Sequence, residues 1–142
     1  MSGEGGLRAS GRWHTRGRLI VYLASHPSLA MLEVLANTTV PDLLAREYHL
    51  MRVQLPTAGL EILPAAELPP GWQAPQRTQA TLSVGDAWLA RAEALALRVP
   101  SALVPAEVMD SEHNFILNPL HPGYGQVQVT AVLPLPFDAR LL

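Results

Sequence analysis

One carboxylate interrupts an otherwise apolar run. Glu33 lies in LAMLEVLA, residues 29–36, and no rotation about a helix axis gives that run a wide polar face. Either the helix is short and Glu33 marks its wet side, or the carboxylate is held by partners, since acidic side chains are almost never fully buried alone. The same stretch, residues 11–36, offers two partners. Tyr22 is the only hydroxyl in LIVYLA, residues 19–24, and a buried Tyr O–H usually finds a hydrogen-bond partner. Arg12 stands between Gly11 and Trp13, so a guanidinium is anchored beside a large ring that seeks burial, ready to fork onto phosphate oxygens. An arginine, a tyrosine and a half-buried glutamate together suit an anionic ligand.

The elements that must position these groups follow from the same residues. LIVYLA reads as a strand, and Pro27 opens a helix over residues 27–36 that Ser25 or His26 caps. Strand, turn and helix then bring Tyr22 and Glu33 to one end of a βα unit, where sites tend to sit. Residues 1–10, rich in Gly and Ser, read as a loop. Arg8, Arg16 and Arg18 flank Arg12 as charges on solvated loop.

Further along, residues 46–55 alternate well enough for a strand, with a bulge or two-sided burial because Leu50, Val53 and Leu55 do not share one parity. Residues 56–79, with Pro56, Pro64, Pro69, Pro70 and Pro75, read as a long surface excursion pinned by Trp72. A second helix is expected over residues 83–94, with Ser83 at its N-cap, Asp86 in its first turn and Trp88 in the core. LALRVPSALVP, residues 95–105, reads as two buried strand segments broken at Pro100 and Ser101, which leaves a hydroxyl outside the ladder. Residues 112–122 carry His113, Asn114, Asn118 and His121 in turn-like Asn-Pro and His-Pro pairs. No HxxxH or HExxH spacing occurs there, so no metal site is expected. QVQVTAVL, residues 126–133, reads as a half-buried antiparallel strand.

Composition bounds the rest. The chain has 142 residues, which suits one domain with a real core, and 15% of them are charged with 49% hydrophobic, which argues against disorder. There is no cysteine, which removes disulfides, thiolate chemistry and Cys-based zinc. A net charge of −2, with every basic residue an arginine, is a poor footprint for nucleic acid. No apolar run reaches membrane length and no signal-peptide core precedes the first element, which predicts a soluble cytoplasmic protein. No repeat, heptad, Walker loop or GxGxxG is present. The sum is a mixed α+β domain with several short strands and two or three helices.

The blocks GRWHTRGRLIVYLASHPSLAMLEVL, PPGW, GDAWL, LRVPSALVP and NFILNPLHP, in this order, resemble the RES domain family, the toxins of RES/Xre-type toxin–antitoxin pairs. The resemblance spans nearly the whole chain. It implies a compact mixed sheet related to the ADP-ribosyltransferase fold, with NAD⁺ as substrate rather than as a prosthetic group. It implies cleavage of the nicotinamide–ribose bond, by hydrolysis or phosphorolysis, so that the toxin depletes NAD⁺. The name's arginine, glutamate and serine map onto Arg12, Glu33 and Ser101, and the family's site tyrosine onto Tyr22. By that mapping Glu33, Arg12 and Tyr22 are catalytic: Glu33 grips the ribose 2′-hydroxyl, Arg12 holds the pyrophosphate and Tyr22 offers its ring to nicotinamide. Ser101, His14, Trp13 and Asn114 are assigned to substrate binding.

Two departures from the family pattern carry expectations of their own. His14 stands where the family commonly has asparagine, which makes that contact pH-dependent. Many members also begin with an additional N-terminal strand bearing an arginine, whereas this chain starts at MSGEGGLR. Either its start lies late or an edge strand is lacking, and an exposed sheet edge would favour a homodimer. The implied partner is an Xre-type antitoxin that carries the DNA recognition, with no membrane partner. The alternatives are a protein-directed ADP-ribosyltransferase and a catalytically silent RES fold that only binds antitoxin or nucleotide.

Overall fold

A computed structural model of the chain describes residues 1–108 and 110–141, with the side chains of residues 106 and 139 left aside. In chain order its elements are α1 (Gly5–Arg8), β1 (Val21–Ala24), α2 (Pro27–Asn37), α3 (Val40–Leu44), β2 (His49–Gln54), β3 (Leu60–Ile62), α4 (Gln79–Arg91), β4 (Ala96–Pro100), β5 (His113–Leu117) and β6 (Gln128–Pro134), with short 3-10 turns between them. Two sheets result. One has four strands in the order β1-β5-β4-β3, and the other is a ribbon of β2 and β6. The mixed α+β class expected from the sequence is the class observed.

The four-stranded sheet carries the core. β5 pairs antiparallel with β1 and with β4, while β3 runs parallel to β4. Trp13, Ile20, Leu63, Trp88, Leu89, Ala94, Leu97, Val99 and Ile116 form one buried cluster beneath it. Trp88 packs there as its helical spacing predicted, and α4 can approach closely because residue 85 is glycine. A Cβ on Gly85 would collide with the carbonyl oxygen of Trp13.

Several sequence expectations need correction. Residues 5–8 form a short helix rather than loop. The first strand starts at Val21, and His26 occupies the N-cap of α2 without a side-chain hydrogen bond. Helix α4 starts four residues before Ser83, because Thr78 and Thr81 form a reciprocal capping box that outcompetes it. The Ser83 hydroxyl instead donates back to the Gln79 carbonyl, and Asp86 falls in mid-helix. The proline-rich excursion is not all surface, since β3 joins the sheet from within it and Leu63 is buried.

Residues 95–105 give one strand, β4, and then a turn. The segment read as turns, residues 112–122, contains β5, which holds the sheet together because it pairs on both sides. The polar side chains of a central strand misled the reading: Asn114 is buried with a partner, as described below, and not exposed in a turn. Of the two readings of residues 46–55, two-sided partial burial is the one observed: the register shift between Arg52 and Val53 places its extra residue, Thr130, on β6, and Leu50 and Val53 of β2 are both partly buried despite opposite parity. β6, by contrast, is not half-buried: six of its seven positions are exposed.

Candidate functional site

The site begins with a loop stapled to α4. Trp13 drives its indole into the core, 2% exposed, and fixes its neighbours on either side. Thr15 donates its backbone N–H and its hydroxyl to Asp86 at 3.0 and 2.6 Å. Arg18 closes on the same carboxylate at 2.8 Å. Asp86, expected only to favour a helix start, therefore holds the arginine-bearing loop in place.

His14 and Tyr22 form the second layer. The Tyr22 hydroxyl accepts from the Trp13 N–H at 3.2 Å and lies 2.8 Å from His14 Nδ1, which also accepts from the Gly11 N–H. His14 Nε2 lies 3.0 Å from the Ala9 carbonyl. Two donors on Nδ1 and a carbonyl on Nε2 select the neutral tautomer with hydrogen on Nε2. Burial pushes the His14 pKa down, against the pull of the Ala9 carbonyl, so the ring stays neutral. Burial of the hydroxyl pushes the Tyr22 pKa up, which keeps it a donor, although the residue as a whole is 40% exposed. The packing leaves no room for a side chain at Gly11, where a Cβ would lie 2.6 Å from the Tyr22 oxygen.

Arg12 is clamped by the excursion. Its Nη1 donates to the carbonyls of Trp72 and Ala74 at 2.7 and 2.9 Å, and its Nη2 to that of Pro75 at 3.5 Å. The segment predicted to be pinned by Trp72 is thus tied through backbone carbonyls to Arg12. Burial draws the Arg12 pKa down while Glu33 and Tyr22 hold it up. The Nε edge of the fork has no partner among the described residues.

Glu33 is held, not wet. Its Oε1 accepts from the Ser101 hydroxyl at 2.8 Å and from Asn114 Nδ2 at 2.6 Å. Ser101, just past Pro100 at the end of β4, lies outside the ladder as expected and is itself fixed by the Leu103 N–H at 3.2 Å. Asn114 stands on β5 between Ala24 of β1 and Val99 of β4, so two strands and one helix converge on one oxygen. Oε2 has no hydrogen-bond partner among the described residues and is available to a ligand hydroxyl.

These groups edge a cleft of about 1260 Å³. Arg12, Trp13, Tyr22, Glu33 and Asn114 line it, whereas Ser101 and His14, 2% and 3% exposed, lie one layer behind and act through Glu33 and Tyr22. The ribbon residues Met51, Arg52 and Leu133 and the excursion residues Gln73 and Arg77 line it too. Sequence reasoning missed these because β2 offered only a strand pattern and the excursion only prolines. Among the described residues, no cluster of three or more His, Asp or Glu is placed to hold a metal, and no helix is long and apolar enough to cross a membrane.

The RES domain model matches residues 1–138. A protein named Toxin Res from Pseudomonas putida is 44% identical over 145 residues, covering 99% of this chain and 92% of its own. A Prs ADP-ribosylating toxin from Sphingobium is 31% identical, covering 100% of this chain and 86% of its own. The toxin–antitoxin complex MbcT–MbcA of M. tuberculosis contains a chain of the same fold, with a TM-score of 0.65 and 21% identity over 95% of this chain and 76% of that one. With the family model spanning all but the last few residues, this chain belongs to the RES domain family.

Proposed function

We propose that the protein is the toxin of a toxin–antitoxin pair and that it cleaves the nicotinamide–ribose bond of NAD⁺. The observation that carries this reading is the carboxylate of Glu33, fixed at Oε1 by Ser101 and Asn114 and open at Oε2, at the wall of a cleft that Arg12 and Tyr22 also line. When the C1′–N bond breaks, the bonding pair leaves with neutral nicotinamide and the ribose takes on oxocarbenium character. A carboxylate fixed near the sugar stabilises that charge without reorganising. Oε2 accepts the ribose 2′-hydroxyl, and the exposed ring of Tyr22 gives nicotinamide a face to stack on. Water or inorganic phosphate then adds to C1′, yielding ADP-ribose or its 1″-phosphate, with the acceptor's proton released to solvent. The antitoxin is of the Xre type that the resemblance implies.

A second reading, transfer of ADP-ribose to a protein, is favoured by the name of the Sphingobium relative. It uses the same cleavage and differs only in the acceptor.

The test is incubation of the protein, freed of antitoxin, with NAD⁺ in the presence and absence of phosphate, followed by chromatography of nicotinamide and the ADP-ribose product. Glu33→Ala is expected to lower nicotinamide release by ~10²-fold or more while the melting profile stays that of a folded protein. Retention of a tenth of the activity sinks the assignment of Glu33. Labelled ADP-ribose recovered covalently on a protein selects the second reading.

A further inference from the structure

The cleft concentrates positive charge that the reacting centre does not use. In a chain of net charge −2, Arg12, Arg52 and Arg77 line it against a single carboxylate, Glu33, among the described residues. Of the seven arginines outside the cleft, four are paired, Arg18 with Asp86, Arg91 with Glu61, Arg98 with Asp110 and Arg140 with Asp138, while Arg8, Arg16 and Arg46 are not gathered at the cleft. Arg52 and Arg77 have no carboxylate partner among the described residues. Both are exposed, so their guanidinium groups are open to a ligand.

Arg12 alone is a poor match for a diphosphate. A dinucleotide's diphosphate carries a charge on each phosphate, whereas Arg12 brings one positive charge. Its Nη1 hydrogens are committed to the Trp72 and Ala74 carbonyls. It also feels the opposing charge of Glu33. One edge of its fork remains for an anion, and the deficit in charge must be met by other residues.

We propose that Arg52 and Arg77 form an anion subsite for the diphosphate of a dinucleotide, distinct from the Glu33 centre. The inference rests on the NAD⁺ reading above and says which residues hold the non-reacting part of that substrate. Arg77 immediately precedes Thr78, whose capping box fixes the start of α4, so its side chain springs from a rigid base. Arg52 pairs with Ala131 beside the register shift of the ribbon, where Thr130 of β6 is the extra residue, and it lines the cleft from the paired strand β2. The cleft volume, about 1260 Å³, is above the range usual for drug-sized ligands and has room for both halves of a dinucleotide. Arginine suits the task, since its fork meets phosphate oxygens in pairs.

The experiment uses ADP as a diphosphate probe, titrated by calorimetry into the wild-type protein, Arg52→Gln, Arg77→Gln and the double variant. In parallel, KM and kcat for NAD⁺ are compared with those for nicotinamide riboside, which lacks phosphate. Each variant is expected to weaken ADP binding about tenfold, the worth of one charge-assisted hydrogen bond, with a shallower salt dependence. KM for NAD⁺ should rise far more than kcat falls, the penalty on KM should vanish for the riboside, and Arg77→Lys should recover part of the loss. Equal ADP affinity in the wild type and the double variant overturns the subsite, as does a penalty shared equally by NAD⁺ and the riboside. Arginine-dependent ADP binding in a protein that releases no nicotinamide retains the subsite and discards the catalytic reading instead.

Discussion

The two walls of the cleft are built differently. Glu33, Ser101 and Asn114 stand on or beside a sheet whose central strand, β5, pairs on both sides and buries Ile116 and Leu117 completely. The facing ribbon, β2 and β6, pairs only with itself and leaves Met51, Val129, Val132 and Leu133 between 44 and 53% exposed. Precision is therefore concentrated where a carboxylate must be held to a fraction of an ångström. The ribbon lines the cleft with few buried contacts, the kind of region that opens locally at low cost. On the NAD⁺ reading proposed above, a rigid centre with a loosely attached wall would admit a substrate larger than its reacting group without disturbing Glu33.

Core substitutions test the rigid half and carry the largest expected effects. Ile116→Ala removes a side chain with no solvent exposure, so urea denaturation should show a loss of ~2–5 kcal/mol. Gly85→Ala should cost ~3 kcal/mol, because the new methyl meets the backbone of Trp13 and not a flexible side chain that could yield. Because Trp13 positions Arg12, Gly85→Ala should also depress nicotinamide release in the fraction that remains folded. Full stability in either variant would mean that the sheet and α4 are packed less tightly than their geometry states.

Acid should reach the same loop by a different route. Burial lowers the His14 pKa below its ordinary value of 6.5, so between that value and the lowered one the unfolded chain binds a proton that the folded chain refuses. Stability should fall as pH drops below about 6.5 and level off once folded His14 protonates as well. Protonation puts hydrogen on Nδ1, where the Gly11 N–H and the Tyr22 hydroxyl now donate, so the loop loosens as it charges. His14→Asn should flatten this part of the profile in denaturation curves measured from pH 7.5 to 5 (about neutral to mildly acidic). An unchanged profile would assign the acid sensitivity to another histidine.

How much of this was legible in the sequence depended on whether a residue's neighbours in space were also its neighbours in the chain. The run from Gly11 to Asn37 was readable because turn, strand and helix are consecutive, and its odd polar residues, Glu33 and Tyr22, stood out against apolar surroundings. Ser101 outside the ladder was local and came through as well. β5 did not, because His113 and Asn114 resemble turn residues until Glu33, 81 positions from Asn114, supplies the bond that lets the amide be buried. The clamp on Arg12 was hidden for a related reason: its acceptors are backbone carbonyls of residues 72–75, and a carbonyl leaves no trace in residue type. Ser83 reads as a cap by residue type alone, whereas the cap that forms, Thr78, depends on Thr81 reciprocating, which propensity cannot register.

The smallest expected effect belongs to the ribbon and sharpens the comparison most. Val132 pairs with Met51 across β2 and β6 and is 53% exposed, so Val132→Thr keeps the β-branched shape and removes only a little apolar surface. If the ribbon's stability comes mainly from backbone pairing, denaturation should shift by no more than ~0.5 kcal/mol. Nicotinamide release should also stay near the wild-type rate, because Val132 is not among the residues lining the cleft. A loss above ~1.5 kcal/mol would show that this face is covered in solution, since only a buried valine loses that much when a methyl becomes a hydroxyl. The ribbon would then be a packed wall like its counterpart, and the cleft would no longer have one rigid side and one yielding one.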